Sequence, residues 1–227
     1  MITVVRLFPH YDVDKVWQYA ERSFLNMKGD GVVPLFMSEQ DHQNHVSVIC
    51  EVRELDALAD FLIEQIGPCN EVAFTRTVTL LRPAFYPVAP TATDSLCRFL
   101  VPLKIYPKKF AEIYNKILKL EPPDGVHVAY IAFSLGEEDM IVSLLADHRE
   151  SVIGFVSGRL EDVGIESIRI GVTHRTKRLV DEQRWRDCQA RYARSRLLGG
   201  KVSAGDYSFD WTGLTRCCVH GPPHEGT

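Results

Sequence analysis

The stretch that decides the fold reads Ala129-Tyr-Ile-Ala-Phe-Ser-Leu-Gly-Glu-Glu-Asp-Met-Ile-Val-Ser-Leu-Leu-Ala146. Two apolar runs flank a polar corner at residues 136–139, which predicts a β-hairpin. Gly136 is expected to adopt a positive φ in that corner, because glycine does so without steric cost. A helical pattern precedes the hairpin and another follows it.

The same order of elements occurs in the first half of the chain. The pattern there predicts strands at 2–8, 32–37, 45–50 and 72–81, with helices at about 12–28 and 55–66. In the second half it predicts strands at 97–105, 126–133, 140–145 and 168–173, with helices from Pro107 and around Val152. Both halves therefore read βαββαβ, the order of a ferredoxin-like unit.

The predicted architecture is an α+β fold of two tandem ferredoxin-like units, of the dimeric α/β-barrel type. A ferredoxin-like sheet carries helices on one face only, so its bare apolar face favours cover by the second unit or by another copy of the chain. The predicted boundaries are a first unit at 1–82, a Pro-rich linker at 83–95, a second unit at 96–180, a basic helix at 181–198 and a tail at 199–227.

The composition is that of an ordinary soluble globular protein. The chain has 227 residues, of which 45% are hydrophobic and 25% charged, and its net charge of −4 does not favour nucleic acid or an anionic membrane. No signal peptide is evident, and no apolar run approaches the roughly 18 residues that span a bilayer. Four scattered cysteines without a CxxC pair are expected to be reduced thiols of a cytoplasmic protein: Cys50, Cys69, Cys97 and Cys188.

Three short motifs resemble the ligand-binding (RAM) domain of Lrp/AsnC-type regulators, present twice. The hairpin at 133–142 resembles the family's Gly-x-x-Asp turn. Residues 67–82 resemble the end of the second helix and the Thr-containing last strand, and residues 164–173 repeat that join. The chain departs from the family in opening on a strand without a helix-turn-helix, and in having Ser38–Asn44 where the first repeat should have its glycine turn.

The resemblance implies a non-enzymatic regulatory protein that binds an amino acid or a related metabolite and acts through oligomerisation or a protein partner. Direct DNA binding, a membrane and a bound cofactor are not expected. Backbone N–H groups of the Gly136 turn can hold a carboxylate, and Asp139 can accept hydrogen bonds from an ammonium group. Hairpin geometry alone also explains both residue types. The predicted ligand-binding residues are Gly136, Glu138, Asp139 and Thr173.

An enzyme on a dimeric α/β-barrel scaffold is the alternative. Paired units would then enclose a pocket for haem, another porphyrin or a quinone. No nucleophile–base pair or clear metal motif accompanies this hypothesis, and the side chains to inspect are His127, His174, Tyr130 and Arg98.

Other clusters are weaker candidates. Asp41, His42 and His45 could bind a metal, but a solvated loop is favoured. The tail residues Cys217, Cys218, His220 and His224 lack the usual two-residue zinc spacing. The basic run at 175–201 could bind nucleic acid, but a helix that covers a sheet while its arginines reach water or acidic partners is favoured.

Overall fold

A computed structural model describes residues 1–27, 29, 31–40, 44–86, 96–160 and 165–192. Its strands are β1 (Ile2–Pro9), β2 (Val32–Gln40), β3 (Val46–Val52), β4 (Val72–Phe85), β5 (Cys97–Ile105), β6 (Val126–Leu135), β7 (Met140–Ala146), β8 (Ile165–Ile168) and β9 (Gly171–Arg178). Its helices are α1 (Val13–Phe24), α2 (Leu55–Asp60, continued by a π-helical segment at Phe61–Ile66), α3 (Phe110–Leu118, after a 3-10 turn at Pro107–Lys109), α4 (Arg149–Arg159) and α5 (Glu182–Tyr192).

The strands form one antiparallel sheet that closes on itself. The order is β7-β6-β4-β1-β3-β2-β9-β5, and β5 pairs back onto β7, while β8 extends along β5. Two pairings join the halves of the chain: β4 with β6, where Thr79 lies opposite Leu135, and β2 with β9, where Phe36 lies opposite Arg178. Eight strands make a barrel whose interior is filled by side chains or holds one small ligand.

Apolar side chains fill three layers. Outside the first half of the barrel, α1 and α2 pack on the sheet through residues such as Phe24 and Phe61. Outside the second half, α3 and α4 pack through residues such as Ile113 and Phe155. The third layer is the barrel interior, with Ile2, Val4, Val33, Leu35, Phe36, Ile49, Val78, Leu80, Tyr130, Ala132 and Ile141. Each strand thus presents one face to helices and the other to the barrel interior.

Helix α5 covers one end of the barrel. Its Trp185 is 2% exposed and meets the ring of Phe36 edge-on at 5.7 Å between centroids. Arg191 donates to both carboxylate oxygens of the buried Glu51, at 2.9 and 2.6 Å. The interpretation of the basic run as a covering helix with paired arginines is confirmed for the described residues; positions 193–198 of the predicted helix lie outside them.

Acidic partners also neutralise the basic residues of β9. Arg175 binds Glu39 and Asp14 and lies over the ring of Trp17 at 4.3 Å, Lys177 binds Glu21, and Arg178 binds Glu182. A nucleic-acid interface needs cations that are available to phosphates. The nucleic-acid hypothesis for the basic run therefore loses support on this face of the molecule.

The predicted α+β class is confirmed, and so is the hairpin of β6 and β7. The predicted positive φ at Gly136 is wrong: among the described glycines the positive φ belongs to Gly125, at 83° just before β6. Gly136 has a different steric role, because a Cβ there would lie 3.1 Å from a methyl carbon of Val78.

The predicted domain boundary is also misplaced. Residues 83–85 belong to β4, which runs through the start of the predicted linker and pairs with β6. Pro83 is accommodated because the β4–β6 register shifts between Leu81 and Ala84, and a bulge is where a strand tolerates proline. The two halves share one closed sheet, so the face of each half that lacks helices is covered by the other half of the same chain. Residues 87–95 of the linker lie outside the described residues.

One cysteine differs from expectation. Cys50, Cys69 and Cys188 are free thiols, whereas Cys97 is disulfide-bonded, so the prediction of a reduced thiol is wrong at this position. Disulfide pairing depends on distance in the fold, which spacing along the chain does not give. Within the part of the chain that the structure describes, no helix has the length and apolarity needed to cross a membrane.

Replacement of the residue that anchors α5 tests whether this helix belongs to the barrel core. Trp185→Ala should lower the free energy of unfolding by about 3–5 kcal/mol, because a large buried ring leaves a cavity. Arg186→Ala is the control: its side chain is 66% exposed, and loss of its ion pair with Glu182 should cost less than about 1 kcal/mol. Urea denaturation measures both. A Trp185→Ala variant as stable as the control contradicts the packing of α5.

Candidate functional site

Three polar side chains lie together on the interior of the barrel. Arg98 of β5, Tyr130 of β6 and Ser143 of β7 are 4%, 7% and 0% exposed. Arg98 Nη1 donates to Ser143 Oγ at 2.9 Å, because Ser143 lies opposite Leu100 and Tyr130 in the strand pairings. A cavity of about 30 Å³ adjoins Arg98 and Tyr130 and is otherwise lined by Val4, Arg6, Phe36, Ser38, Gln40, Ser47, Ile49, Leu100 and Ile141.

Burial changes the acid–base properties of this group. Desolvation raises the pKa of Tyr130 to about 12, even though the positive charges of Arg98 and Arg6 oppose that rise. Desolvation lowers the pKa of Arg98 to about 10. At neutral pH the phenol therefore keeps its proton and the guanidinium its charge. Both groups can donate hydrogen bonds to an oxygen atom placed in the cavity.

A larger cleft opens beside this cavity at the end of the barrel away from α5. Its volume is about 600 Å³, within the range of small-molecule sites. Arg6 of β1 lines both the cavity and the cleft and so connects them. The charged side chains in the cleft wall are Arg6, Arg76, Arg149, Arg169, Glu137 and Glu138.

Arg6 and Glu138 form the best-buried ion pair of the cleft. Both terminal nitrogens of Arg6 donate to Oε1 of Glu138 at 3.1 Å, and the two side chains are 14% and 6% exposed. Arg169 Nη2 lies 3.9 Å from the same oxygen. The second oxygen of Glu138, Oε2, is buried and accepts no hydrogen bond. An unsatisfied buried carboxylate oxygen is costly, so a donor that reached Oε2 would stabilise this ion pair.

An aromatic surface forms part of the rim. The rings of Phe8 and Phe74 stack with centroids 4.4 Å apart and planes 9° apart, and the ring of His45 lies 4.9 Å from Phe8. The guanidinium of Arg76 lies over Phe8 at 5.5 Å and forms an ion pair with Glu137. Flat apolar surface and positive charge therefore occur together at this rim.

Of the four predicted ligand-binding residues, one lines the cleft. That residue is Glu138. Asp139 instead joins the hairpin corner to β5, because its Oδ2 accepts from the backbone N–H of Ile105 at 2.8 Å. Gly136 packs closely against Val78, and Thr173 lies opposite Gln40 in the β2–β9 pairing with its hydroxyl buried and without a hydrogen-bond partner. The structure does not bring these four residues together as one site.

Of the four residues named for the enzyme hypothesis, two line the cavity and two do not. Arg98 and Tyr130 line the cavity. His127 lies opposite Leu145 in the β6–β7 pairing, and His174 lies on β9; neither is among the residues that line the cavity or the cleft.

No metal cluster is found where the structure describes the chain, since no three His, Cys, Asp or Glu side chains there are placed to hold an ion. The metal candidates Asp41 and His42 lie outside the described residues, as do Cys217, Cys218, His220 and His224.

Among the site residues that sequence reasoning missed are Arg6, Ser143 and Arg169. Two of them left a signal, because Arg6 interrupts the apolar strand Ile2–Phe8 and Ser143 interrupts the apolar run at 140–146. A polar residue inside a strand that is apolar on both faces is expected to have a partner. Arg169 left none, since an arginine in a surface loop is ordinary.

Known proteins resemble this chain in structure but not detectably in sequence. No protein-family model matches the chain, and no curated protein matches its sequence. An anthrone oxidase-like protein superposes with a TM-score of 0.54 at 9% identity, covering 80% of this chain and 94% of its own. A proposed monooxygenase from Lactobacillus acidophilus NCFM superposes with a TM-score of 0.50 at 12% identity, covering 79% and 93%.

A siroheme decarboxylase, solved with an iron-uroporphyrin III analogue, superposes with a TM-score of 0.50 at 8% identity, covering 77% of this chain and 71% of its own. At such identities the likeness shows the fold, an α+β fold of the dimeric α/β-barrel kind.

A porphyrin does not fit the barrel interior. The cavity of about 30 Å³ has room for about two water molecules. Its wall also contains no histidine to ligate iron. The porphyrin form of the enzyme hypothesis therefore gains no support from this cavity.

The environment of Tyr130 is open to direct measurement. The wild-type protein should gain tyrosinate absorbance near pH 12 that the Tyr130→Phe variant lacks. The reason is that burial disfavours ionisation of this phenol inside the barrel. The free energy of unfolding should fall between about pH 10 and 12. In that range the phenol of Tyr130 loses its proton in the unfolded chain, near pH 10, before it does so in the folded chain, near pH 12. The control is Tyr11→Phe, whose ring is 92% exposed and which should keep the absorbance change near pH 12. Loss of that change in Tyr11→Phe, or its persistence in Tyr130→Phe, contradicts the buried site.

Proposed function

We propose that this protein is an enzyme on an α/β-barrel scaffold that acts on a small phenol- or quinone-type molecule. One observation carries the proposal: two buried hydrogen-bond donors, Arg98 and Tyr130, line a cavity next to a cleft of about 600 Å³. A purely structural barrel core has no need of a charged side chain at this depth. The substrate ring would occupy the cleft, with one oxygen atom in the cavity.

The chemistry of these groups suits an oxyanion. When an aromatic hydroxyl or an enol loses its proton, the negative charge on oxygen would be stabilised by the guanidinium of Arg98 and the phenol of Tyr130. Such donors act strongly where water is excluded, because the local dielectric is low. The resulting electron-rich anion is the form of the substrate that is most readily oxidised.

The reaction class that we propose is oxidation by dioxygen. In an anthrone-type substrate a ring CH₂ becomes C=O, one oxygen atom enters the product and the other leaves as water, so that atoms and electrons balance. The names of two structural neighbours, an anthrone oxidase-like protein and a proposed monooxygenase, support this class. The chain's own residues would hold the anion and exclude water.

The finer description of the fold is part of the same proposal. Each half of the chain has the order βαββαβ, if β8 and β9 are taken as one interrupted strand. Both β8 and β9 pair with β5, which supports that interpretation. We propose that the halves are two tandem ferredoxin-like units that form within one chain the barrel that two subunits form elsewhere. Homo-oligomerisation stays a prediction, although closure of the barrel covers the sheet face that prompted it.

Oxidation of 1,8-dihydroxyanthrone under air tests the function. Tyr130→Phe and Arg98→Met should each lower kcat/KM by about 10²-fold or more, the usual effect of removing one oxyanion donor. Tyr11→Phe and Arg53→Met, both on the surface, are the matched controls and should retain wild-type rates. Circular dichroism verifies folding of every variant. Oxidation no faster than in buffer, or insensitive to both buried residues, contradicts the proposal.

An amino-acid effector is a second candidate, which the unsatisfied Oε2 of Glu138 favours. A ligand ammonium could donate to this oxygen while a ligand carboxylate binds Arg169. In a thermal-shift screen, an amino acid at 100 times its Kd should add about 2.7 kcal/mol of stability, and Glu138→Gln should abolish that gain. Asp147→Asn, at an exposed carboxylate, is the control. No stabilisation by any amino acid excludes this candidate.

A further inference from the structure

We propose that the substrate is an aromatic acid whose carboxylate binds Arg169 at the mouth of the barrel. The inference rests on the proposed function and names the substrate class of that same site. It depends on the charges of the cleft, on which of them already have partners, and on the aromatic rim.

The cleft is positive in a chain that is negative overall. Four arginines and two glutamates line it, which leaves a net charge of +2, whereas the whole chain carries −4. A concave wall of one sign concentrates ligands of the opposite sign. The local excess of arginine therefore selects anions from solution.

Among the described residues, the partners of these charges leave two arginines without a hydrogen-bonded carboxylate, Arg149 and Arg169, and of these Arg169 directly precedes the apolar wall residue Ile170. Glu138 already accepts two hydrogen bonds from Arg6, and Glu137 is paired with Arg76. Arg169 is 3.9 Å from Glu138 Oε1, which is too long for a hydrogen bond, and its side chain is 68% exposed. Its planar guanidinium can thus form the two parallel hydrogen bonds that a carboxylate accepts.

The rest of the cleft wall fits an aromatic ring. Phe8 and Phe74 present stacked rings at the rim, and Pro102, Ile170 and Val172 line the wall near Arg169. Apolar walls with a few polar groups are typical of sites that bind ring compounds. A flat molecule with an acidic group matches both parts of this surface, and Arg6 extends the same wall to the cavity of Arg98 and Tyr130.

Two isosteric probes distinguish the contribution of the carboxylate charge to binding from that of the ring: anthraquinone-2-carboxylate and anthraquinone-2-carboxamide. Isothermal titration should show that the wild-type protein binds the carboxylate about tenfold more tightly than the carboxamide. Arg169→Gln should remove this preference and leave the affinity for the carboxamide unchanged. Arg159→Gln, an exposed arginine on α4 outside the cleft, is the matched control and should keep the preference.

The outcomes distinguish failure of this inference from failure of the proposed function on which it rests. Equal binding of the two probes by the wild-type protein, or a preference that persists in Arg169→Gln, overturns the assignment of Arg169. If the carboxamide nevertheless binds and Arg98→Met weakens it, the proposed function stands without this substrate class. If neither probe binds, both fail. A preference that falls as salt rises from about 50 to 500 mM supports the ion pair, because screening weakens exposed charges.

Discussion

The pairing of β2 with β9 and of β4 with β6 is the constraint on which the rest of the structure depends. These two ladders join strands that are far apart in the chain, and they turn two open sheets into one closed barrel. Closure removes the sheet edges that would otherwise be free to associate. It also creates an interior that neither half has alone, and every residue of the proposed site faces this interior or its mouth.

Inside the barrel, Arg6 links the apolar interior to the charged mouth. It forms an ion pair with the buried Glu138, its charge acts on Tyr130, and it lines both the cavity and the cleft. Isolated charges are very unfavourable in such a place, whereas a hydrogen-bonded pair is tolerated. The two halves of the chain each supply one member of this pair. The site therefore exists only when the halves are assembled.

Much of the fold was predictable because it is local. Alternating apolar residues predicted a strand at 97–105, and β5 has these bounds. Asp12 caps α1 as expected, since its carboxylate accepts from the backbone N–H of Asp14 at 2.9 Å. What failed depended on tertiary contacts. Pro83 looked like a linker residue but lies at a bulge of β4, and Gly136 looked like a turn glycine but lies against Val78.

The site was less predictable than the fold for the same reason. Arg98 and Tyr130 were named from their residue types, yet only strand pairing across β5, β7 and β6 brings them to Ser143 and to the cavity. The Gly136–Asp139 motif predicted a ligand site from residue types that structural contacts also explain. Gly136 lies against Val78, and the Asp139 carboxylate accepts a hydrogen bond from the backbone N–H of Ile105 on β5.

A crystal structure of the complex with 1-hydroxyanthraquinone tests most directly the claim that a substrate ring binds in the cleft with its oxygen at Arg98 or Tyr130. The account predicts that the ring lies in the cleft and that its hydroxyl oxygen lies within about 2.5–3.2 Å of Arg98 or Tyr130. Density for the ring on the outer helical layer, or in the cleft with its oxygen turned to solvent, would contradict it.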